Sequence, residues 1–99
     1  MVQYDQKEFC KAEEGTVEKE LIVGNNASLM KLSVEGGGEV LCYSKLFKDS
    51  KEFPLAGIDN SSYTPVTSFT QGSYSIEISG FHSIKILSKS ANCSIKTVY

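Results

Sequence analysis

The chain has no tryptophan, no arginine and a single histidine, and its 99 residues carry a net charge of −2. Without a basic stripe it lacks what phosphate neutralisation requires, so nucleic acid is not an expected partner. No stretch approaches the roughly 18 apolar residues of a membrane-spanning helix, so no membrane partner is expected. Alanine and leucine heptads are too sparse to build a helical bundle. The N-terminal Met1-Val2-Gln3-Tyr4-Asp5 has neither the basic segment nor the apolar run of a secretion signal. Three cysteines, Cys10, Cys42 and Cys93, form an odd set with wide spacing, unlike the even framework of a secreted disulfide scaffold. Synthesis and folding in a reducing cytosol are the expectation. The sequons at Asn26, Asn60 and Asn92 are then a by-product of a Ser- and Asn-rich composition.

The same scarcity weakens the case for catalysis. A nucleophile needs a base held against it, and His82 is the only histidine available to Cys42 or Cys93. No local signature surrounds any of the three. A closed zinc site needs short Cys or His pairs, and these residues are scattered along the chain. Cys42 and Cys93 read as small core side chains. No carboxylate pair stands out for glycoside hydrolysis. Asp59-Asn60-Ser61 lacks the repeated acids of a calcium loop and reads as an Asx turn. Gly36-Gly37-Gly38 lacks the Lys-Ser/Thr of a phosphate loop and precedes no helix. No catalytic residue, metal or cofactor is assigned, and a non-enzymatic module is expected.

What is present is material for strands. Apolar residues make up 40% of the chain, enough for one domain with a thin core. Fourteen serines and five threonines supply small polar partners for alternating patterns. Residues 1–15 show no clean period. Six of the twelve acids fall within residues 1–20, which suits either a solvated segment or an arm on a basic neighbour. Within this stretch Gln6–Glu14 suits a helical turn or two ending at Gly15, or an extended arm.

From Thr16 the period is two. Val17, Leu21 and Val23 oppose Glu18, Glu20 and Ile22. After a turn signal at Gly24-Asn25-Asn26, Met30, Leu32 and Val34 share one face. Val40–Phe47 is apolar on both faces, with Leu41, Tyr43 and Phe47 against Val40, Cys42 and Leu46. These two segments flank three glycines and read as a hairpin. Residues 48–64 are connection. Strands then recur over 65–70, 73–78, 83–88 and 93–99, the last holding the C-terminus in a sheet. Seven short strands at this spacing predict an all-β fold, a small antiparallel β-sandwich of Ig-like or jelly-roll-like type over residues 16–99. Aromatics in short strands mostly fill cores. Those assigned to a possible interaction surface are Tyr43, Phe47, Phe53 and Tyr63, the exposed ones expected to be Phe53 and Tyr63 in the connection.

The segment from Phe53 to Tyr99 carries a specific rhythm. It comprises Pro54-Leu55, Gly57, Pro65-Val66-Thr67-Ser68, Gly72, Tyr74, Ile76, Ile78, Ser79-Gly80-Phe81, Ile84 and Ile86. This phrase resembles a small β domain of bacteriophage virion structural proteins, over about half the chain. Glu77-Ile78-Ser79 departs from the acidic phrase of that pattern, and Cys93–Val98 fits its close. The resemblance implies a virion component made in the bacterial host cytoplasm. It implies a capsid auxiliary or decoration protein, with the major capsid protein as partner and a homo-oligomeric or lattice-bound state. A head-fibre, baseplate or tail-associated role is the alternative within that family. Apart from the resemblance, the aromatics suit a host-glycan-binding module, using Tyr63, Phe53 and Tyr43 with Asp59 and Asn60 as hydrogen-bond partners. The resemblance brings no catalytic residue.

Overall fold

Period-two alternation becomes strands because it lets one face of each segment leave water while the other stays wet. The computed structural model describes residues 5–23 and 27–98. The expected turn at Gly24-Asn25-Asn26, the sequon at Asn26, the anchoring of Tyr99 and residues 1–4 of the expected arm lie outside the described residues.

In chain order the strands are β1 (Asp5–Cys10), β2 (Thr16–Ile22), β3 (Leu29–Glu35) and β4 (Glu39–Lys45). There follow the short β5 (Phe53–Pro54), β6 (Gly57–Asp59), β7 (Pro65–Val66) and β8 (Ser68–Phe69). The long β9 (Gly72–Glu77), β10 (Ser83–Lys89) and β11 (Asn92–Val98) close the chain. They form two antiparallel sheets, as the alternation predicted. The first runs β1-β11-β3-β9-β6-β7. The second runs β2-β10-β4-β5, with β8 also paired to β4.

Successive strands mostly change sheet. β3 pairs with β11 and β9, whereas β4 pairs with β10, β5 and β8. The glycines between β3 and β4 therefore carry the chain from one sheet to the other, and the expected hairpin is not formed. The physical reason lies at Gly38, whose φ of +97° and close approach to the Lys89 and Ser90 carbonyls suit a tight crossing against the β10–β11 turn. The expected strand over 65–70 is likewise two pieces. Pro65-Val66 pairs with β6 in the first sheet, and Ser68-Phe69 pairs with β4 in the second. Proline, which lacks a donor, sits at the edge of its sheet as it should.

The N-terminal stretch divides. Asp5–Cys10 is an edge strand on β11, and Ala12–Glu14 is a single 3-10 turn ended by Gly15 at φ +74°. The turn is fixed by the Lys11 N–H donating to Glu14 Oε1 at 2.7 Å and the Ala12 N–H donating to Asn92 Oδ1 at 2.8 Å. It carries the chain from the edge of the first sheet to β2, the edge of the second.

Between the sheets lie Met30, Leu32 and Val34 of β3, Tyr74 and Ile76 of β9, and Cys93 and Ile95 of β11. Facing them are Leu21 of β2, Val40 and Cys42 of β4, and Ile84 and Ile86 of β10. Phe69 lies in β8, just after the chain crosses from β7 of the first sheet to the second. It is fully buried, and its ring meets that of Tyr74 edge-on at 4.9 Å. Burying such side chains is worth about 1.5–3 kcal/mol each. Gly57 is required beside it, since a Cβ there would stand 2.6 Å from Ile76 Cγ1 and 2.8 Å from Phe69 Cε1. Among the described residues no buried side-chain polar atom lacks a partner; the Ser88 hydroxyl, for one, donates to the Ala91 carbonyl at 3.3 Å.

Candidate interaction surface

The second sheet ends in an apolar rim. β4 stops at Lys45, so Leu46 and Phe47 leave the ladder that sequence reasoning had extended through them. They enter a turn in which the Phe47 N–H donates to Ser50 Oγ at 3.0 Å and the Ser50 N–H donates to the Phe47 carbonyl at 3.0 Å. The turn points two large apolar groups outward: Leu46 is 54% exposed and Phe47 68%. The chain returns as β5 against Tyr43 and Ser44, with Phe53 64% exposed. A groove of about 550 Å³ opens here, lined by Ser44, Leu46, Ser50, Lys51, Phe53, Pro54, Leu55 and Phe81.

Of the four residues expected at an interaction surface, only Phe53 lines this groove. Phe47 stands beside it in the Leu46–Ser50 turn. Tyr43 is half-buried in β4, and Lys85 lies over its ring with Nζ 4.9 Å from the centroid. Lys85 is held there by Glu52 at 2.9 Å and lies 3.9 Å from Glu18. The Glu52 hydrogen bond is the main cause of its raised pKa. Leu46, Leu55 and Phe81 were missed as groove residues. The corner between β5 and β6 brings Leu55 to the groove, and that corner has no local signature.

Tyr63 stands apart, between β6 and β7 of the other sheet. It is 81% exposed at φ +58°. The loop beneath it is pinned. The Tyr63 N–H donates to the Asp59 carbonyl at 2.8 Å, and the Asp59 N–H to the Thr64 carbonyl at 2.9 Å. Asp59 Oδ1 accepts from both the N–H and the hydroxyl of Ser61 at 2.9 Å, an Asx turn. These donors hold the Asp59 carboxyl below its usual range. Asn60 is likewise engaged, with Ser73 at 3.1 Å and Ser75 at 2.8 Å. Asp59 and Asn60 thus build the loop that presents Tyr63.

His82 is half-buried where β10 begins. Its N–H donates to the Lys45 carbonyl at 2.8 Å, and its carbonyl accepts from Val23 N–H at 3.0 Å. Among the described residues no group of three or more His, Cys, Asp and Glu side chains is placed to hold a metal ion.

No protein-family model matches the chain, and neither does the sequence of a curated protein. Two solved structures share its fold. The SPBc2 prophage-derived protein YomS superposes with a TM-score of 0.70 at 14% identity, over 98% of this chain and 90% of that one. The PBSX exported protein XepA superposes with a TM-score of 0.64 at 18% identity, over 83% of this chain. The chain spans 36% of XepA.

Proposed function

We propose that the protein is a bacteriophage virion structural component, a capsid auxiliary or decoration protein that seats on the major capsid protein through the rim at Leu46, Phe47 and Phe53. One observation carries the docking role. Three large apolar side chains, Leu46, Phe47 and Phe53, each more than half exposed, lie where β4 ends and β5 begins, at one edge of the second sheet. Apolar groups gathered like this mark contact surfaces more than scattered ones do. The phage setting draws support from the likeness to a prophage-derived protein over almost the whole chain and from the sequence rhythm over residues 53–99. Attachment to a lattice of identical subunits would gather many copies, each contributing a modest interface.

The test separates heads from tails of the phage that encodes the chain and asks by mass spectrometry which fraction contains it. Recovery with heads is expected, and recovery with tails alone would move the protein to a fibre or baseplate role. Absence from both ends the virion reading. The Phe47→Ser, Phe53→Ser double variant should keep its fold, because exposed side chains change stability by only about 0.5 kcal/mol. It should lose most of its particle binding.

A second reading, glycan binding, has a specific observation behind it: Tyr63 offers a free ring on a pinned loop. A glycan array with the intact chain and with Tyr63→Ala tests it. Signal that survives the substitution would count against that site.

A further inference from the structure

All three cysteines are free and buried, and two of them face each other. In the β1–β11 ladder Gln6 opposes Ile95, and Cys10 opposes Cys93. Four residues of β1 are therefore matched to two of β11. Regular continuation from Gln6 would set Glu8 opposite Cys93 and Cys10 opposite Ala91. A bulge removes that mismatch, with Glu8 at φ +57° and its N–H donating to Ser94 Oγ at 3.0 Å. Bulges of this kind re-aim side chains. Here the outcome is a cysteine pair, 0% and 2% exposed, set directly opposite each other across the ladder.

Directly opposed residues of antiparallel strands have Cα atoms about 4.5–5.5 Å apart. That lies within the roughly 4.4–6.8 Å a disulfide spans. Cys42 is equally buried but belongs to the facing sheet. Packed sheets stand about 10 Å apart, beyond what a disulfide bridges without backbone movement.

We propose that Cys10 and Cys93 are a redox modification site, which a low-molecular-weight disulfide oxidant converts into a cross-strand disulfide fastening β1 to β11. β1 is an edge strand held in its sheet by β11 alone, so its fraying is the route by which the reagent enters. The thiolate of Cys10 attacks one sulfur of the oxidant and expels one thiolate, leaving a mixed disulfide. The deprotonated Cys93 then attacks Cys10 Sγ and expels the second. The two protein thiols lose two protons and two electrons, and the oxidant becomes two thiols. The surroundings favour this order. The Cys93 hydrogen bond lowers the Cys10 pKa to about 7, helped by Lys19 of β2 and Ser88 of β10 and opposed by burial and Glu14. Cys93 is shifted upward by the same pairing. Burial, with the nearby Cys10, pushes the Cys42 thiol up to about 12, which leaves it unreactive.

The proposal is independent of the virion role and is tested on the full chain. The reduced protein is incubated with oxidised glutathione, digested without reductant and mapped by mass spectrometry. One cross-link is expected, Cys10 to Cys93, with Cys42 free. Because the bond closes a loop from residue 10 to residue 93, the melting temperature should rise by about 10 °C or more and fall back on reduction. The Cys42→Ala variant should form the same cross-link, and it keeps the test decisive if Cys10→Ser or Cys93→Ser fails to fold. No cross-link in the native protein, a cross-link through Cys42, or a Cys10–Cys93 bond without a rise in melting temperature each overturns the proposal.

Discussion

Two carboxylates, Asp59 and Glu39, are each held by hydroxyl donors within a few residues of a sheet crossing. Asp59 is gripped by Ser61, and Glu39 accepts from the Ser68 hydroxyl with Lys89 at 3.6 Å. Both carboxyls therefore titrate below the ordinary range, Asp59 through the Ser61 N–H first and Glu39 through Ser68 first. A carboxyl depressed on folding stabilises the folded state above its unfolded pKa, and that contribution is lost as pH falls through the folded value. The urea midpoint should accordingly decline as pH is lowered through about 4 and below. Asp59→Asn retains the acceptor oxygen but cannot titrate, so its acid limb should be shallower than wild type. Both groups lie at the surface, so the effect is a change of slope rather than a collapse. An Asp59→Asn profile superimposable on wild type would remove this account.

At the scale of elements, the three consecutive glycines are not equivalent. A Cβ on Gly38 would fall on the carbonyl oxygens of Ser90 and Lys89, the latter at 2.6 Å, and its φ of +97° disfavours side chains in any case. A Cβ on Gly37 meets nothing within 4 Å. The obstruction at Gly38 is the Lys89–Ser90 backbone, which cannot swing aside as a side chain could. Gly38→Ala should cost about 2 kcal/mol or more, from positive-φ strain plus overpacking. Gly37→Ala should be neutral, or stabilise slightly by restricting the unfolded chain. Thermal melts of the two variants side by side check this, and equal effects would show that the crossing is looser than described.

For the molecule as a whole, the decisive feature is that sheet neighbours are far apart in sequence. β1 lies on β11, β2 on β10 and β3 on β11 and β9. The strand Asp5–Cys10 is consequently packed into the body of the fold. It contributes the buried Phe9 and Cys10, and Lys19 of β2 lies over the Phe9 ring at 5.1 Å and donates to its carbonyl. Deleting residues 1–10 should cost at least about 3 kcal/mol, from the lost aromatic burial and the uncovered flank of β11. Chemical denaturation of the truncated chain measures it. A truncated protein as stable as the intact one would mean that β1 is dispensable.

How much of this was legible beforehand follows from what alternation encodes. Met30, Leu32 and Val34, or Ile84 and Ile86 around Lys85, announce a strand and its buried face, because a period of two is a property of the segment itself. The outward position of Phe53 and Tyr63 could be read in the same way, from their place in a connection rich in turn residues. The partner of each strand could not. A hairpin and a crossing between sheets demand the same pattern on either side of Gly36–Gly38, and only the packing of Gly38 against the Lys89 and Ser90 carbonyls selects between them. The split of residues 65–69 between two sheets, the groove that adds Leu46, Leu55 and Phe81 to Phe53, and the bulge that turns Cys10 toward Cys93 are of the same kind. Local sequence determined which side of each strand leaves water. Tertiary structure decided which strands meet, because that choice rests on contacts between residues as far apart as Asp5 and Lys96, whose volumes and backbone crossings are defined only once both sheets are assembled.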